Sequence, residues 1–237
     1  MPRLNAGKDP RAWPRPDMGK LVKKCDELSK REGWMGKRDA AIIALPAMFG
    51  RRRGEIRVVR RSDVKIAEDR LYITFSVLKS HVPPKALCPS GHPCKLAWKV
   101  CPECGALVKN LDGSRPQGVK VGEPDNELTL ATNQRLATHP LAKFLLTWVN
   151  EVPEAGYLCA KSPYSGIFSI PDAPLWDIPL SGSGITNIIR KHTEGLWPHL
   201  FRHNLATSFS EIGFDAYDLL QLFIWRRYDT AKKYVEL

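Results

Sequence analysis

The chain has 237 residues, enough to bury one large domain or one domain with a small module. A formal net charge of +11 favours an anionic partner, nucleic acid first, although a merely basic soluble protein has the same balance. The longest apolar stretch, Ala40 to Phe49, is too short to span a bilayer, and the charged N-terminus is unlike a signal peptide. A membrane protein is therefore excluded and a cytoplasmic location is expected, where clustered cysteines indicate metal before disulfides.

The first part of the chain predicts a linker followed by helices. Residues 1–17 mix prolines with charges and are interpreted as a flexible lead-in. An amphipathic helix is predicted from Asp17 to Lys30, and its inward stripe is Leu21, Val22, Cys25 and Leu28. A second, apolar helix is predicted to begin near Asp39 and to stop at Gly50, and a third, short helix runs from Arg52 to Val59.

The middle of the chain predicts a β-hairpin that an insertion interrupts. Strands are expected at Asp63-Val64 and over the alternating segment Leu71–Val77, with a returning strand at Leu128–Thr132. The insertion between them, residues 80–125, is rich in Pro, Gly and Cys.

The rest of the chain is predicted to be helical. The expected helices are Leu141–Val149, Ile185–Lys191 with Ser181 or Ser183 as N-cap, Phe201–Ile212 stopped by Gly213, Ala216–Phe223 capped by Asp215, and Thr230–Val235 capped by Asp229. The fold class is therefore α+β, mainly helical with a small antiparallel sheet, and residues 18–237 form one domain around the insertion.

Two basic motifs stand far apart in the sequence. The first is Gly50-x-Arg52-x-x-Glu55 and the second is His199-x-x-Arg202. Each motif alone fits a solvated basic face or a helix cap. A histidine and an arginine three residues apart on a helix can, however, grip one phosphate, and a later tyrosine can attack it.

The two motifs occur in this order and are followed by His203 and by Trp225, which stands nine residues before Tyr234. This arrangement resembles the catalytic domain of the tyrosine recombinases, or phage integrases, from about Asp17 to Val235. The resemblance implies a mainly helical recombinase fold and a catalytic set made up of Arg52, Lys79, His199, Arg202, Trp225 and Tyr234, with Glu55 and His203 in support. Lys65 and Lys85 are alternatives to Lys79, and Tyr217 and Tyr228 are rivals of Tyr234.

The resemblance also implies the chemistry. Arg52 and Arg202 would clamp the non-bridging oxygens of a DNA phosphodiester, and Trp225 would donate its indole N–H to them. Tyr234 would attack phosphorus and form a 3′-phosphotyrosyl link, with His199 as the proton acceptor and Lys79 as the general acid for the leaving 5′-oxygen. No ATP and no catalytic metal are needed, since one phosphodiester is exchanged for another.

The implied function is that of a site-specific DNA recombinase or integrase, of archaeal or viral origin, that acts on double-stranded DNA as a homo-oligomer, a tetramer by family resemblance. A type IB topoisomerase-like nicking and rejoining enzyme and a non-catalytic DNA-binding accessory protein remain as alternatives. The family's N-terminal clamping domain and its helix after the tyrosine have no counterpart here, so a catalytic fragment or an unusually short enzyme is expected.

The insertion carries a metal-binding pattern. Cys88, Cys94, Cys101 and Cys104 fall within seventeen residues, and the second pair has the C-P-x-C-G form of a zinc knuckle. His92 can replace Cys94 as a ligand. Four such ligands suit a structural Zn²⁺, which would order an insertion too polar to build its own core. Four free cysteines in a loop are the alternative.

Overall fold

The computed structural model of the chain describes residues 14–76, 85–95, 99–108, 110, 117, 120–121, 127–131, 138–163, 173–225 and 227–235. The chain divides into two compact units, one made of residues 1–76 and 128–237 and the other of residues 77–127. Most of the predicted lead-in, residues 1–13, lies outside the described residues. Of the described helices, none is both long enough and apolar enough to cross a membrane.

The first unit begins with two packed helices, α1 (Met18–Ser29) and α2 (Trp34–Phe49). The first helix is confirmed: Asp17 caps it and accepts from the Lys20 backbone N–H at 3.1 Å. The second begins five residues before the predicted start and includes Gly36. A Cβ at Gly36 would lie 2.1 Å from the carbonyl oxygen of Leu28, so only glycine lets the two helices approach so closely.

A short helix and a three-stranded sheet follow. Helix α3 is Arg53–Arg57, a 3-10 turn covers Arg61–Asp63, and the strands are β1 (Val64–Ala67), β2 (Arg70–Ser76) and β6 (Glu127–Ala131) in the order β1-β2-β6. Strands β1 and β2 are antiparallel and joined by Glu68 and Asp69, both at positive φ, as a two-residue hairpin turn requires. The prediction that the insertion interrupts a hairpin is confirmed by the pairing of β2 with β6.

Two further helices complete the main core. Helix α4 (Ala142–Val149) and helix α5 (Gly182–His192) agree with the predicted segments, and Ser181 rather than Ser183 is the N-cap of α5, accepting from Gly184 N–H at 3.0 Å. Trp148, fully buried, stacks on Trp34 and donates from its indole N–H to the carbonyl of Leu158 at 2.8 Å. A small antiparallel pair, β7 (Ala160–Lys161) with β8 (Leu175–Pro179), was not predicted, because β7 is only two residues long.

The chain ends in three helices with their own apolar cluster. They are α6 (Pro198–Glu211), α7 (Ala216–Leu222) and α8 (Tyr228–Val235), and the cluster comprises Ala206, Ala216, Leu219, Phe223, Ala231 and Tyr234. Helix α6 begins three residues before the predicted start, with Pro198 in its first turn, where a missing N–H costs nothing. Helix α8 begins before Asp229, which therefore lies in its first turn instead of capping it.

The second unit contains a small sheet of its own. Its strands are β3 (Lys85–Leu87), β4 (Pro93–Lys95) and β5 (Lys120–Val121), in the order β4-β3-β5. Its apolar cluster consists of Cys88, Cys94, Cys101 and Val108, with Ala106 packed against it. So small a core needs another source of stability, such as a metal ion.

Candidate functional site

The first basic motif lies at the start of α3. Glu55 is almost completely buried and forms ion pairs with Arg51, at 2.9 Å, and with Arg52, at 3.1 Å. The Arg51 side chain is wholly buried, whereas that of Arg52 is 27% exposed. Arg52 is thus partly accessible, and Glu55 holds its guanidinium through an ion pair.

The second motif brings Arg202 to the same place. Its guanidinium, on α6, is 1% exposed and donates from Nη1 to the carbonyl of Gly50 at 3.1 Å and from Nη2 to the carbonyl of Phe223. Its buried Nε has no hydrogen-bond partner among the described residues. Burial and the charges of Arg52 and Arg51 lower the pKa of Arg202 to about 9, so it stays protonated at neutral pH. The result is a buried, concentrated positive charge.

Aromatic rings form a column beside this charge. Phe223, Trp225 and Tyr234 stack with successive centroids 5.1 Å apart, and the His203 ring follows at 5.7 Å from that of Tyr234. The Arg202 guanidinium lies 5.6 Å from the Trp225 ring centroid, within reach of a cation–π contact. Trp225, which precedes α8, and Tyr234, on α8, therefore lie beside α6, the helix that carries the second motif.

The phenol of Tyr234 is 5% exposed, and its hydroxyl is hydrogen-bonded to Nδ1 of His203. Burial raises the pKa of Tyr234, although the charge of Arg202 opposes the shift. Burial, with the nearby His199 and Arg202, lowers the pKa of His203 to about 3. Both groups are therefore neutral in this state, and their hydrogen bond has the phenol as donor when the imidazole proton resides on Nε2.

The predicted site residues are mostly brought together. Arg202 lies beside the Trp225 ring, which stacks on Tyr234, and it is close enough to Arg52 and Glu55 for their charges to act on it. His199, expected to accept the phenolic proton, is exposed and meets the His203 ring edge-on at 4.5 Å. The contact with the phenol is made by His203, which had been expected only to support the site.

The other candidates from the sequence are the two alternative tyrosines and the three candidate lysines. Tyr217 and Tyr228 are 65% and 41% exposed, and their rings contact each other at a tilt of 45° with centroids 4.9 Å apart. Lys79 lies outside the described residues. Lys65 is exposed on β1, and Lys85 belongs to the second unit.

Sequence reasoning missed Arg51 and the role of His203. Arg51 lies before the N-cap of α3, where helical spacing does not determine its direction, and three adjacent arginines conceal which one is buried. His203 stands four residues after His199, so both point the same way, and only the position of α8 decides which ring meets the tyrosine.

The second unit gathers four possible metal ligands. Cys88, His92, Cys101 and Cys104 place their ligand atoms within 4.8 Å of one another. The Cys88 sulfur lies 3.6 Å from both His92 Nδ1 and the Cys104 sulfur, and the Cys101 sulfur is 3.9 Å from His92 Nδ1. Tetrahedral Zn²⁺ with ordinary Zn–S and Zn–N bonds separates its ligands by roughly 3.5–3.8 Å. The donor set therefore fits zinc.

Cys94 lies outside this set. Its thiol is buried and donates to the carbonyl of His92 at 3.4 Å, so it packs beneath the ligand loop. Of the two predicted alternatives for the fourth ligand, the structure favours His92. The Ser90 hydroxyl, the backbone N–H of Ala106 and His92 lower the pKa of Cys104 to about 6, which favours the thiolate that a metal requires.

The solved structures that the chain resembles include site-specific recombinases. XerA recombinase is 16% identical with a TM-score of 0.53, over 98% of this chain and 62% of that one. XerH bound to difH substrate is 12% identical in its pre-cleavage complex, with a TM-score of 0.50 over 91% of this chain and 47% of XerH. In the post-cleavage complex with palindromic difH it is 13% identical, with a TM-score of 0.51 over 97% and 50%.

No family model matches the sequence, and no curated protein matches it. The likeness to the solved structures, at these identities, shows that the chain has the fold of site-specific recombinases. The chain spans about half to three fifths of the length of the proteins that it resembles.

Proposed function

We propose that the protein is a site-specific DNA recombinase or integrase of the tyrosine class, which cleaves and rejoins double-stranded DNA through a 3′-phosphotyrosyl intermediate. The observation that carries the proposal is the convergence of Arg202, from α6, and Tyr234, from α8, on the region where α3 begins at Arg52. Three distant segments thus contribute two cations and one nucleophile to one place, as phosphodiester exchange requires.

Each residue has a role that its surroundings suit. Arg52 is partly exposed and binds a non-bridging phosphate oxygen, while Arg202 supplies the buried charge and a free Nε donor. Trp225 supports the tyrosine by stacking and can offer its indole N–H. Glu55 holds the arginines in place. His199, exposed at the first turn of α6, contacts the same phosphate.

The general acid is assigned to Lys79 by the family resemblance, and it would protonate the leaving 5′-oxygen. The second unit is a structural zinc module held by Cys88, His92, Cys101 and Cys104, and the metal takes no part in the reaction. Bound zinc supplies a cross-link that orders the loops around the small core. The active form is a homotetramer on two DNA sites.

Covalent capture tests the proposal. The protein is incubated with a nicked suicide duplex that carries its recombination site, obtained by selection from a random library. A denaturation-resistant protein–DNA adduct is expected with the wild type and with Tyr228→Phe, and none with Tyr234→Phe. An adduct that survives Tyr234→Phe, or none with the wild type, would refute the assignment.

Arg202→Ala separates catalysis from binding. Because Arg202 stabilises the charge that develops in the transition state, cleavage should be lost while DNA affinity falls only a few-fold. Cleavage is followed by adduct formation and affinity by a gel-shift titration. Equal losses in both would make Arg202 a simple phosphate contact and favour a DNA-binding accessory protein.

A further inference from the structure

The way in which α8 packs on α6 determines which histidine contacts the hydroxyl of Tyr234. The Tyr234 hydroxyl is hydrogen-bonded to His203 Nδ1, and the two rings lie 29° from parallel. His203 is one turn further along α6 than His199 and directly follows Arg202. The phenol, the imidazole and the guanidinium are therefore neighbours in the closed column of rings.

We propose that His203, rather than His199, accepts the phenolic proton when Tyr234 attacks the phosphodiester. The inference rests on the proposed function, since it names the base of that reaction. His199 is exposed and meets the His203 ring edge-on, with the ring centroids 4.5 Å apart. That position suits a contact with the DNA phosphate and leaves the phenol to His203.

The charged groups around His203 make the basicity of its imidazole depend on bound DNA. Arg202 and His199 on α6, together with burial, keep the imidazole neutral, and Tyr234 on α8 keeps its proton. A phosphodiester seated against Arg202 brings a negative charge that offsets the guanidinium. The imidazole then becomes more basic at the moment when the nucleophile is needed, and without DNA the phenol stays unreactive.

The step balances as a transesterification. The Oη–H bond of Tyr234 breaks and its proton passes to Nδ1 of His203, while Oη forms a bond to phosphorus. The bond from phosphorus to the 5′-oxygen breaks, and that oxygen takes a proton from the general acid. In the rejoining step the 5′-hydroxyl attacks, and His203 returns the proton to the departing phenolate.

The test compares two asparagine variants in single-turnover cleavage of the suicide duplex. In His203→Asn the side-chain amide can occupy the place of Nδ1 and accept from the phenol, but it cannot take the proton. We expect cleavage to slow by roughly 100- to 10,000-fold with DNA affinity within a few-fold of wild type. His199→Asn, the matched variant one turn away, should weaken DNA binding more and slow saturated cleavage less.

The pH profile distinguishes a base from a merely structural residue. The wild-type rate should fall on the acidic side as the base becomes protonated in the DNA complex, and this limb should be absent in His203→Asn but present in His199→Asn. A limb retained in His203→Asn, or lost in His199→Asn, overturns the inference. If His203→Asn does not fold, as judged by circular dichroism, His203→Gln is measured in its place.

The two proposals fail in different ways. If the wild type forms no adduct, the proposed function is wrong and the inference falls with it. If the wild type forms an adduct through Tyr234 and His203→Asn forms it equally fast, the inference alone is wrong.

Discussion

Arg51 and Glu55 form an ion pair at 2.9 Å in which neither side chain is more than 1% exposed. Burial lowers the pKa of Arg51, and the charge of Glu55 opposes this shift. Glu55 also accepts from the backbone N–H of Arg52 at 3.0 Å. One carboxylate thus forms an ion pair with the buried arginine, accepts a backbone hydrogen bond at the start of α3 and holds the partly exposed Arg52.

Glu55→Ala should be strongly destabilising, because it leaves the Arg51 charge buried without a counter-charge. We expect a loss of about 3–5 kcal/mol in the free energy of unfolding, measured by urea denaturation at an unchanged slope. The control is Glu154→Ala, since Glu154 pairs with Arg61 at 3.9 Å and is 76% exposed. That loss should be below about 1 kcal/mol, and equal losses would mean that the buried pair is unimportant.

Gly50→Ala tests the turn that receives Arg202. Gly50 has a φ of 59°, and a Cβ there would lie 3.0 Å from both Leu205 and Phe223. The strained backbone and the crowding should together cost about 2–4 kcal/mol in thermal or urea unfolding.

The matched control for this substitution is Gly213→Ala. Gly213 has a φ of 99°, but a Cβ there meets nothing within 4 Å. It should lose only the backbone contribution, about 1–2 kcal/mol. If the two alanine variants lose the same stability, the packing of Leu205 and Phe223 around the turn is not tight.

The zinc ligands are distinguished by a pair of substitutions in the second unit. His92→Ala removes a ligand atom from the cluster and should lower the bound zinc well below about one ion per chain. Cys94→Ser leaves the four ligands in place and should retain the metal. Zinc is measured by mass spectrometry of the dialysed protein and by chelator-induced release. The opposite pattern would return Cys94 to the ligand set.

Much of the fold could be predicted from local patterns. The stripe of α1 and the stop at Gly50 depend on residues near one another in sequence, and both predictions were right. The split hairpin was also predicted, because β2 and β6 each have a strand pattern and lie on either side of the insertion. The start of α2 was wrong because Gly36 lowers helix propensity, while the close contact that requires this glycine is made with the backbone of Leu28 on another helix. A contact between two helices cannot be read from the pattern of either helix alone.

The candidate site could likewise be predicted only in part from the sequence. Motif spacing suggested the residue types of the proposed catalytic set, because one helical turn separates His199 from Arg202. Which of two histidines meets Tyr234 depends on the angle at which α8 packs on α6, and no spacing within either helix encodes that angle. The choice between His92 and Cys94 is similar, since it depends on how β4 turns away from the ligand loop.

The pKa of His203 predicts a pH-dependent stability. The ordinary pKa of histidine is about 6.5, but in the folded protein that of His203 is about 3. As the pH falls below about 6.5, the unfolded chain takes up a proton at this residue and the folded protein does not. The free energy of unfolding should therefore be fully retained above this pH and should fall as the pH drops toward about 3, by up to roughly 4 kcal/mol from this group.

His203→Asn isolates this contribution. The carboxylates titrate in both proteins and cancel in the comparison, as do the half-buried His139 and the buried His192, whose pKa values are also lowered by burial. Urea unfolding between about pH 7 and about pH 4 should give a steeper loss of stability for the wild type than for the variant. Parallel curves would mean that the imidazole can take up a proton in the folded protein, which requires that the column of rings opens and admits water to the phenol even without DNA.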